Sequence, residues 1–148
     1  MAVRDGRAFV GTFDNEVLAI ELDDLRVAWR YDPAERDFPF YSSPAVAEER
    51  AVIGGRDKLV HALDPKSGEV AWTFDAGARV DASPVISGSR VFVASNGGDL
   101  YALDLESGAE EWRYESGSSF TASPAIGGGK LVIGTVDGLV LAFGKKIK

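Results

Sequence analysis

An all-β fold of repeated four-stranded sheets is predicted for this 148-residue chain by three recurring landmarks. Ser42-Ser43-Pro44 returns as Ala82-Ser83-Pro84 and Ala122-Ser123-Pro124, at spacings of 40 and 40. Trp29, Trp72 and Trp112 return at 43 and 40, with the surplus falling between Trp29 and Ser42, where Arg36-Asp37-Phe38-Pro39 lengthens the connection. Tight-turn pairs keep the same period: Asp14-Asn15, Asp57-Lys58, Gly97-Gly98 and Asp137-Gly138. Three kinds of landmark sharing one period identify a structural repeat.

Each period divides into four short strands. After the Ser-Pro comes an apolar pair, Ala45-Val46, Val85-Ile86 or Ala125-Ile126, and then a polar or glycine-rich turn such as Gly127-Gly128-Gly129. The second strand is Ala8-Phe9-Val10, Ala51-Val52-Ile53, Val91-Phe92-Val93 or Leu131-Val132-Ile133. It ends at the tight-turn pairs, whose Asn, Asp and Gly tolerate the positive φ of a two-residue hairpin. The third strand carries Val17-Leu18-Ala19, Val60-His61-Ala62, Leu100-Tyr101-Ala102 or Val140-Leu141-Ala142. The fourth alternates with period two, placing Trp29/Tyr31, Trp72/Phe74 and Trp112/Tyr114 on one face.

A 40-residue unit of four antiparallel strands is the pattern of a β-propeller blade. Four blades are expected in one repeat domain, over approximately 1–32, 42–75, 82–115 and 122–144. The first opens on a truncated strand, Met1-Ala2-Val3, and the last stops at Phe143-Gly144 before any tryptophan strand.

Composition removes several functions. Sixteen Lys and Arg against 23 Asp and Glu give a net charge of −7, against the clustered cations that a nucleic acid requires. The absence of cysteine excludes a disulfide scaffold, a thiol nucleophile and a thiolate-held metal. No stretch approaches the roughly 20 apolar residues of a membrane-spanning helix, so direct membrane insertion is not expected, and Met1 to Arg7 lacks the apolar core of a signal peptide. His61, the one imidazole, occupies a third-strand position held elsewhere by Leu18, Tyr101 and Leu141, which reads as packing. Asp14, Asp57 and Asp137 read as turn residues. No catalytic, cofactor-binding or metal-ligating residue is assigned.

Ala62-Leu63-Asp64-Pro65-Lys66-Ser67-Gly68-Glu69-Val70-Ala71-Trp72 and the corresponding segment from Ala102 to Trp112 resemble the tryptophan-docking repeat of the pyrroloquinoline-quinone (PQQ)-like β-propellers. That family includes PQQ-dependent alcohol dehydrogenases and the lipoprotein scaffold of the outer-membrane β-barrel assembly machine (BamB). The resemblance implies eight-bladed rings, the fourth strand outermost, and so half a ring in this chain. The first repeat departs from the pattern, with Glu21 for Asp and Leu25 for the turn glycine. The motif also has a direct physical reading. Asp64 and Asp104 cap a turn, Gly68 and Gly108 fit its left-handed position, and Trp29, Trp72 and Trp112 wedge between sheets as structural residues.

An open row of four blades leaves two flat apolar end faces, each about 800 Å² if it matches one side of a standard interface. That exceeds the roughly 300–600 Å² patch a soluble monomer tolerates. Two copies are therefore expected to pair as a homodimer and close the ring, unless further chain supplies the missing blades. Lys145, Lys146 and Lys148 would then sit on the unfinished edge, where charge discourages further pairing.

The loops entering each blade carry Phe40-Tyr41, Val80-Asp81 and Phe120-Thr121. Their matched apolar members read as core plugs. Phe38, Tyr41, Arg79, Asp81 and Thr121 read as a protein-binding rim, because exposed aromatics beside arginine make interface hot spots. The longer loop from Ala34 to Phe40 is the expected protrusion. The function expected is a non-enzymatic module for protein–protein interaction, resembling the scaffold branch. The alternatives are the cofactor-binding half of a PQQ-dependent quinoprotein dehydrogenase, which would need PQQ and a divalent ion, and a piece of a larger sensor or scaffold. The resemblance implies a periplasmic or other extracytoplasmic location.

Overall fold

Fifteen strands and no helix make up residues 1–33 and 38–144, the part that the computed structural model describes. Part of the loop from Ala34 to Phe40, and Lys145, Lys146 and Lys148, lie outside these residues. The first sheet contains β1 (Ala2–Arg4), β2 (Arg7–Gly11), β3 (Val17–Glu21) and β4 (Val27–Tyr31). The second contains β5 (Ala45–Val46), β6 (Ala51–Gly54), β7 (Leu59–Leu63) and β8 (Val70–Asp75). The third contains β9 (Val85–Ser87), β10 (Arg90–Ala94), β11 (Asp99–Asp104) and β12 (Glu110–Glu115). The fourth contains β13 (Ala125–Gly127), β14 (Lys130–Gly134) and β15 (Val140–Gly144). Every sheet is an antiparallel meander in chain order. This is a β-propeller of about four blades. The opening strand is not truncated: β1 has three residues, as β9 and β13 do, and pairs Ala2 with Phe9.

The hairpins between second and third strands turn on a residue with positive φ at Asn15, Lys58, Gly98 and Gly138. These are the second members of the four tight-turn pairs, and a period of 40 follows from that repeated chemistry. Each complete blade also carries a bulge at one place. Ala19 faces Trp29 but Ile20 faces Val27, and the same slip separates Ala62 from Leu63 and Ala102 from Leu103. The extra residue lies immediately before the tryptophan, where a bulge increases local twist and turns the side chain. The alanine opposite is buried in all three blades and leaves room for the ring.

The core consists of three clusters, one at each junction between consecutive sheets. Phe9, Val17 and Trp29 meet Ile53 and Leu63; Val52, Val60 and Trp72 meet Val91 and Leu103; Leu100 and Phe120 meet Leu131 and Ile133. The outward faces of the end sheets stay open to solvent, at Val3 on the first and at Val132 and Val140 on the fourth.

Candidate interaction surface

One rim is built from two loops per blade, and backbone hydrogen bonds join them. Phe40 donates its N–H to Thr12 O (3.0 Å), Val80 to Gly55 O (2.9 Å) and Phe120 to Ser95 O (3.3 Å). Each blade-entry loop is thereby tied to the β2–β3-type hairpin of a neighbouring blade. Phe40, Val80 and Phe120 are buried as core plugs, so the next residue in each loop stands at the surface beside the hairpins.

The result is a continuous row of side chains across the first three blades. Phe13 packs on Tyr41 with ring centroids 4.9 Å apart, and the Arg56 guanidinium lies 3.6 Å from the Tyr41 ring centre. Arg56 then donates to both oxygens of Asp81, at 2.7 and 3.1 Å. Asp81 continues the row through Asn96 Nδ2 at 3.3 Å, and Arg79 approaches it from the side at 3.5 Å. The Asp81 carboxylate raises the pKa of Arg56, so that cation is fixed. Phe13 and Tyr41 are 72% and 50% exposed, which leaves an aromatic end beside a clamped charge pair.

Of the residues the sequence singles out for this rim, the row joins Tyr41, Arg79 and Asp81. Phe38 is half exposed near the aromatic end, held by its N–H on Asn15 Oδ1 at 3.2 Å. Thr121 is exposed at the repeat position matching Tyr41 and Asp81. Sequence reasoning missed Phe13, Arg56 and Asn96. They hold the same place in successive hairpins, one residue before the tight-turn pair, and that register was the available signal.

His61 has partners that its strand position did not reveal. Its Nδ1 lies 3.0 Å from Tyr31 Oη, and its Nε2 lies 3.0 Å from Asp57 Oδ2, poorly aligned for a hydrogen bond. Phe40 closes over the imidazole edge-on. Burial, with the charges of Asp57 and Asp32, raises the Tyr31 pKa, so Tyr31 stays a neutral phenol. The His61 and Asp57 side chains are 1% and 4% exposed, while Tyr31 is half-buried. Asp57 also caps its own turn by accepting Leu59 N–H at 3.0 Å.

The tryptophans meet the turns of the following blade. Trp29 Nε1 donates to Pro65 O at 3.1 Å, and Trp72 Nε1 to Leu105 O at 3.0 Å. A Cβ on Gly68 would stand 2.6 Å from the Trp29 ring, and one on Gly108 would stand 2.5 Å from the Trp72 ring. Both glycines also hold positive φ, +77° and +74°, so two independent constraints select glycine. Trp112 differs. It packs on Phe143 with centroids 5.2 Å apart and is 38% exposed.

The family model of the outer membrane protein assembly factor BamB matches residues 56–147. The chain belongs to this family of PQQ-like β-propellers. Among solved structures, BamB from Moraxella catarrhalis superposes with a TM-score of 0.81 at 26% identity, over 97% of this chain and 43% of that one. The chain thus spans less than half the length of that BamB. A quinohemoprotein alcohol dehydrogenase from Comamonas testosteroni shares the fold, with a TM-score of 0.78 at 17% identity over 90% of this chain and 28% of its own. The computationally designed Ika4 protein shares it as well, with a TM-score of 0.81 at 14% identity, over 96% of this chain and 87% of the design. No curated protein matches the chain by sequence.

The row's one carboxylate does not suit a divalent cation. Asp81 is neutralised by Arg56 and Arg79, and a hard cation needs several oxygen ligands with charge to spare. Among the described residues, no three His, Cys, Asp or Glu converge to hold a metal ion.

Proposed function

We propose that this chain is a non-enzymatic interaction module of the BamB type, which binds a protein partner through the row from Phe13 to Asn96. The observation that carries the reading is the row itself. A solvent-exposed aromatic pair continues into an arginine already held by Asp81, so the side chains are ordered before a partner arrives. Preorganised aromatic and arginine side chains cost little conformational entropy on binding and make efficient hot spots. Two copies complete the ring, burying the exposed Val3 face of the first blade and the Val132 and Val140 face of the fourth. Family membership supports an extracytoplasmic setting, and the reading places the chain beside an outer-membrane assembly machine.

The test is retention of a solubilised outer-membrane assembly machine on the immobilised chain, comparing the native protein with a Tyr41→Ala/Arg56→Ala variant. Retention lost in the variant, with its unfolding midpoint preserved, supports the row. Equal retention by both proteins refutes it. A saturable, calcium-dependent spectral change on adding PQQ would favour the quinoprotein alternative. Light scattering checks the ring separately: the expected mass is twice that of the 15.8 kDa chain.

A further inference from the structure

The hairpin tips of the rim differ in one chemical respect. The residue after Phe13, Arg56 and Val136 is an aspartate, Asp14, Asp57 or Asp137, whereas Asn96 is followed by Gly97 and Gly98. The sequence holds no glutamine, so Asn15 and Asn96 carry its only two side-chain amides, and Asn15 is followed by Glu16. Asn96-Gly97 is thus the one place where a side-chain amide precedes a residue without a Cβ.

The reacting groups lie within one turn that meets water. Gly97 is exposed, and its N–H donates to no acceptor among the described residues. Gly98 closes the turn by donating its N–H to Ser95 O at 3.1 Å, and adopts φ +95°. The Asn96 amide is restrained by Asp81: its Oδ1 accepts the Asp81 N–H and its Nδ2 donates to Asp81 Oδ2, each at 3.3 Å. Both bonds are longer than a typical N–H···O contact, and two successive glycines let the backbone rotate.

We propose that Asn96 is a self-modification site, whose amide is exchanged for a carboxylate by ring closure onto Gly97. Hydroxide takes the Gly97 amide proton, and the nitrogen attacks Asn96 Cγ. The new N–Cγ bond forms, the Cγ–Nδ2 bond breaks, and ammonia leaves with a proton from water, which regenerates the hydroxide. Water then opens the cyclic imide at either carbonyl, giving aspartate or its isomer, in which the chain runs through the side chain. Water is the sole co-reactant, and nothing is oxidised or reduced. The consequence for binding rests on the reading of the row as the interaction surface. The donor facing Asp81 Oδ2 becomes a carboxylate oxygen, so two like charges meet where a hydrogen bond stood. The isomer also adds a methylene to the backbone of a tip that Asn96 N–H ties to Arg79 O at 2.9 Å. Either product weakens the hold of the third-blade hairpin on Asp81 and its two arginines.

The full chain is aged at mildly acidic and mildly alkaline pH and mapped with trypsin, which places Asn96 in Val91–Arg113 and Asn15 in Ala8–Arg26. The expected result is an amide-to-acid mass gain in Val91–Arg113, faster at the alkaline pH, with isoaspartate in the product and Ala8–Arg26 unchanged. Gly97→Ala slows the gain at least about tenfold, equivalent to about 1.4 kcal/mol of barrier, because a Cβ hinders the nitrogen. Gly97 lies outside the left-handed region, so alanine suits its backbone. No gain in Val91–Arg113, an equal gain in Ala8–Arg26, or an unchanged rate in Gly97→Ala overturns the site. The first two outcomes need no variant. The effect on the row is read with Asn96→Asp, which is expected to retain less of the solubilised outer-membrane assembly machine than the native chain. Equal retention by Asn96→Asp, where Tyr41→Ala/Arg56→Ala loses it, overturns that effect and leaves the row standing. The mass gain is read without a partner, so a failure of the row as a binding surface is seen separately.

Discussion

The junction between the second and third blades and the junction between the third and fourth share one repeat pattern but end in different states. In the first, the Trp72 indole is capped by Leu105 O, pressed on Gly108 and 9% exposed. In the second, the Trp112 indole has the same bulge, the same facing alanine and an aromatic neighbour, yet is 38% exposed. Over Trp72 the covering element is the 104–108 turn of the next blade; over Trp112 the equivalent positions are 144–148, of which 145–148 lie outside the described residues. A tryptophan on the fourth strand is therefore only half of a junction, and the other half is backbone: a carbonyl and a residue without a Cβ.

The largest effect expected from this comparison is a contrast between two identical substitutions. Trp72→Ala removes a buried ring and its hydrogen bond, with a cost of roughly 3–5 kcal/mol. Trp112→Ala removes a ring already in water on one side and costs roughly 1 kcal/mol, near the centre of ordinary point mutations. Urea unfolding of both variants at constant m-value measures the contrast. Equal losses would mean that the turn contributes nothing to the Trp72 junction.

The backbone half of the junction is tested by Gly108→Leu. It forces an L-residue to φ +74° and drives a Cβ to 2.5 Å from the Trp72 ring. The left-handed conformation costs about 1–2 kcal/mol and the overpacking about 1–3 kcal/mol, so a total of roughly 2–5 kcal/mol is expected. The double variant with Trp72→Ala separates the two contributions. With the ring gone the clash disappears, and only the conformational cost remains.

Much of this was readable in the sequence, for a specific reason. Hairpin turns are local chemistry, and Asn15, Lys58, Gly98 and Gly138 sit where the repeat places a positive φ. Alternation on the fourth strand likewise put Trp29 with Tyr31 and Trp72 with Phe74. What the sequence concealed depends on contacts between blades. The row from Phe13 to Asn96 uses one residue from each of successive loops about 40 residues apart, and their types differ: phenylalanine, arginine, asparagine. A search for matching residues passes over them. His61 reads as packing in the sequence because its partners, Tyr31 and Asp57, come from a neighbouring blade and from a turn whose aspartate already has a local task. The bulge before each tryptophan carries no composition signal, since its extra residue is Ala28, Ala71 or Glu111.

The smallest effect probes the other end of the chain and has the opposite sign. Leu25 holds the turn position of Gly68 and Gly108, at φ +57°, with its side chain 74% exposed. No tryptophan covers it, so the Cβ meets no ring and only the backbone strain remains. Replacing it with glycine relieves about 1–2 kcal/mol of left-handed strain and gives back about 0.4–1 kcal/mol in unfolded-chain entropy. Leu25→Gly is therefore expected to stabilise the chain by roughly 0.5–1 kcal/mol, seen as a higher urea midpoint at unchanged m-value. The same substitution gives the first turn the two features that Gly68 and Gly108 share, an unhindered face and an unstrained left-handed residue. A loss of stability would show that the Leu25 side chain packs in a way that offsets the strain.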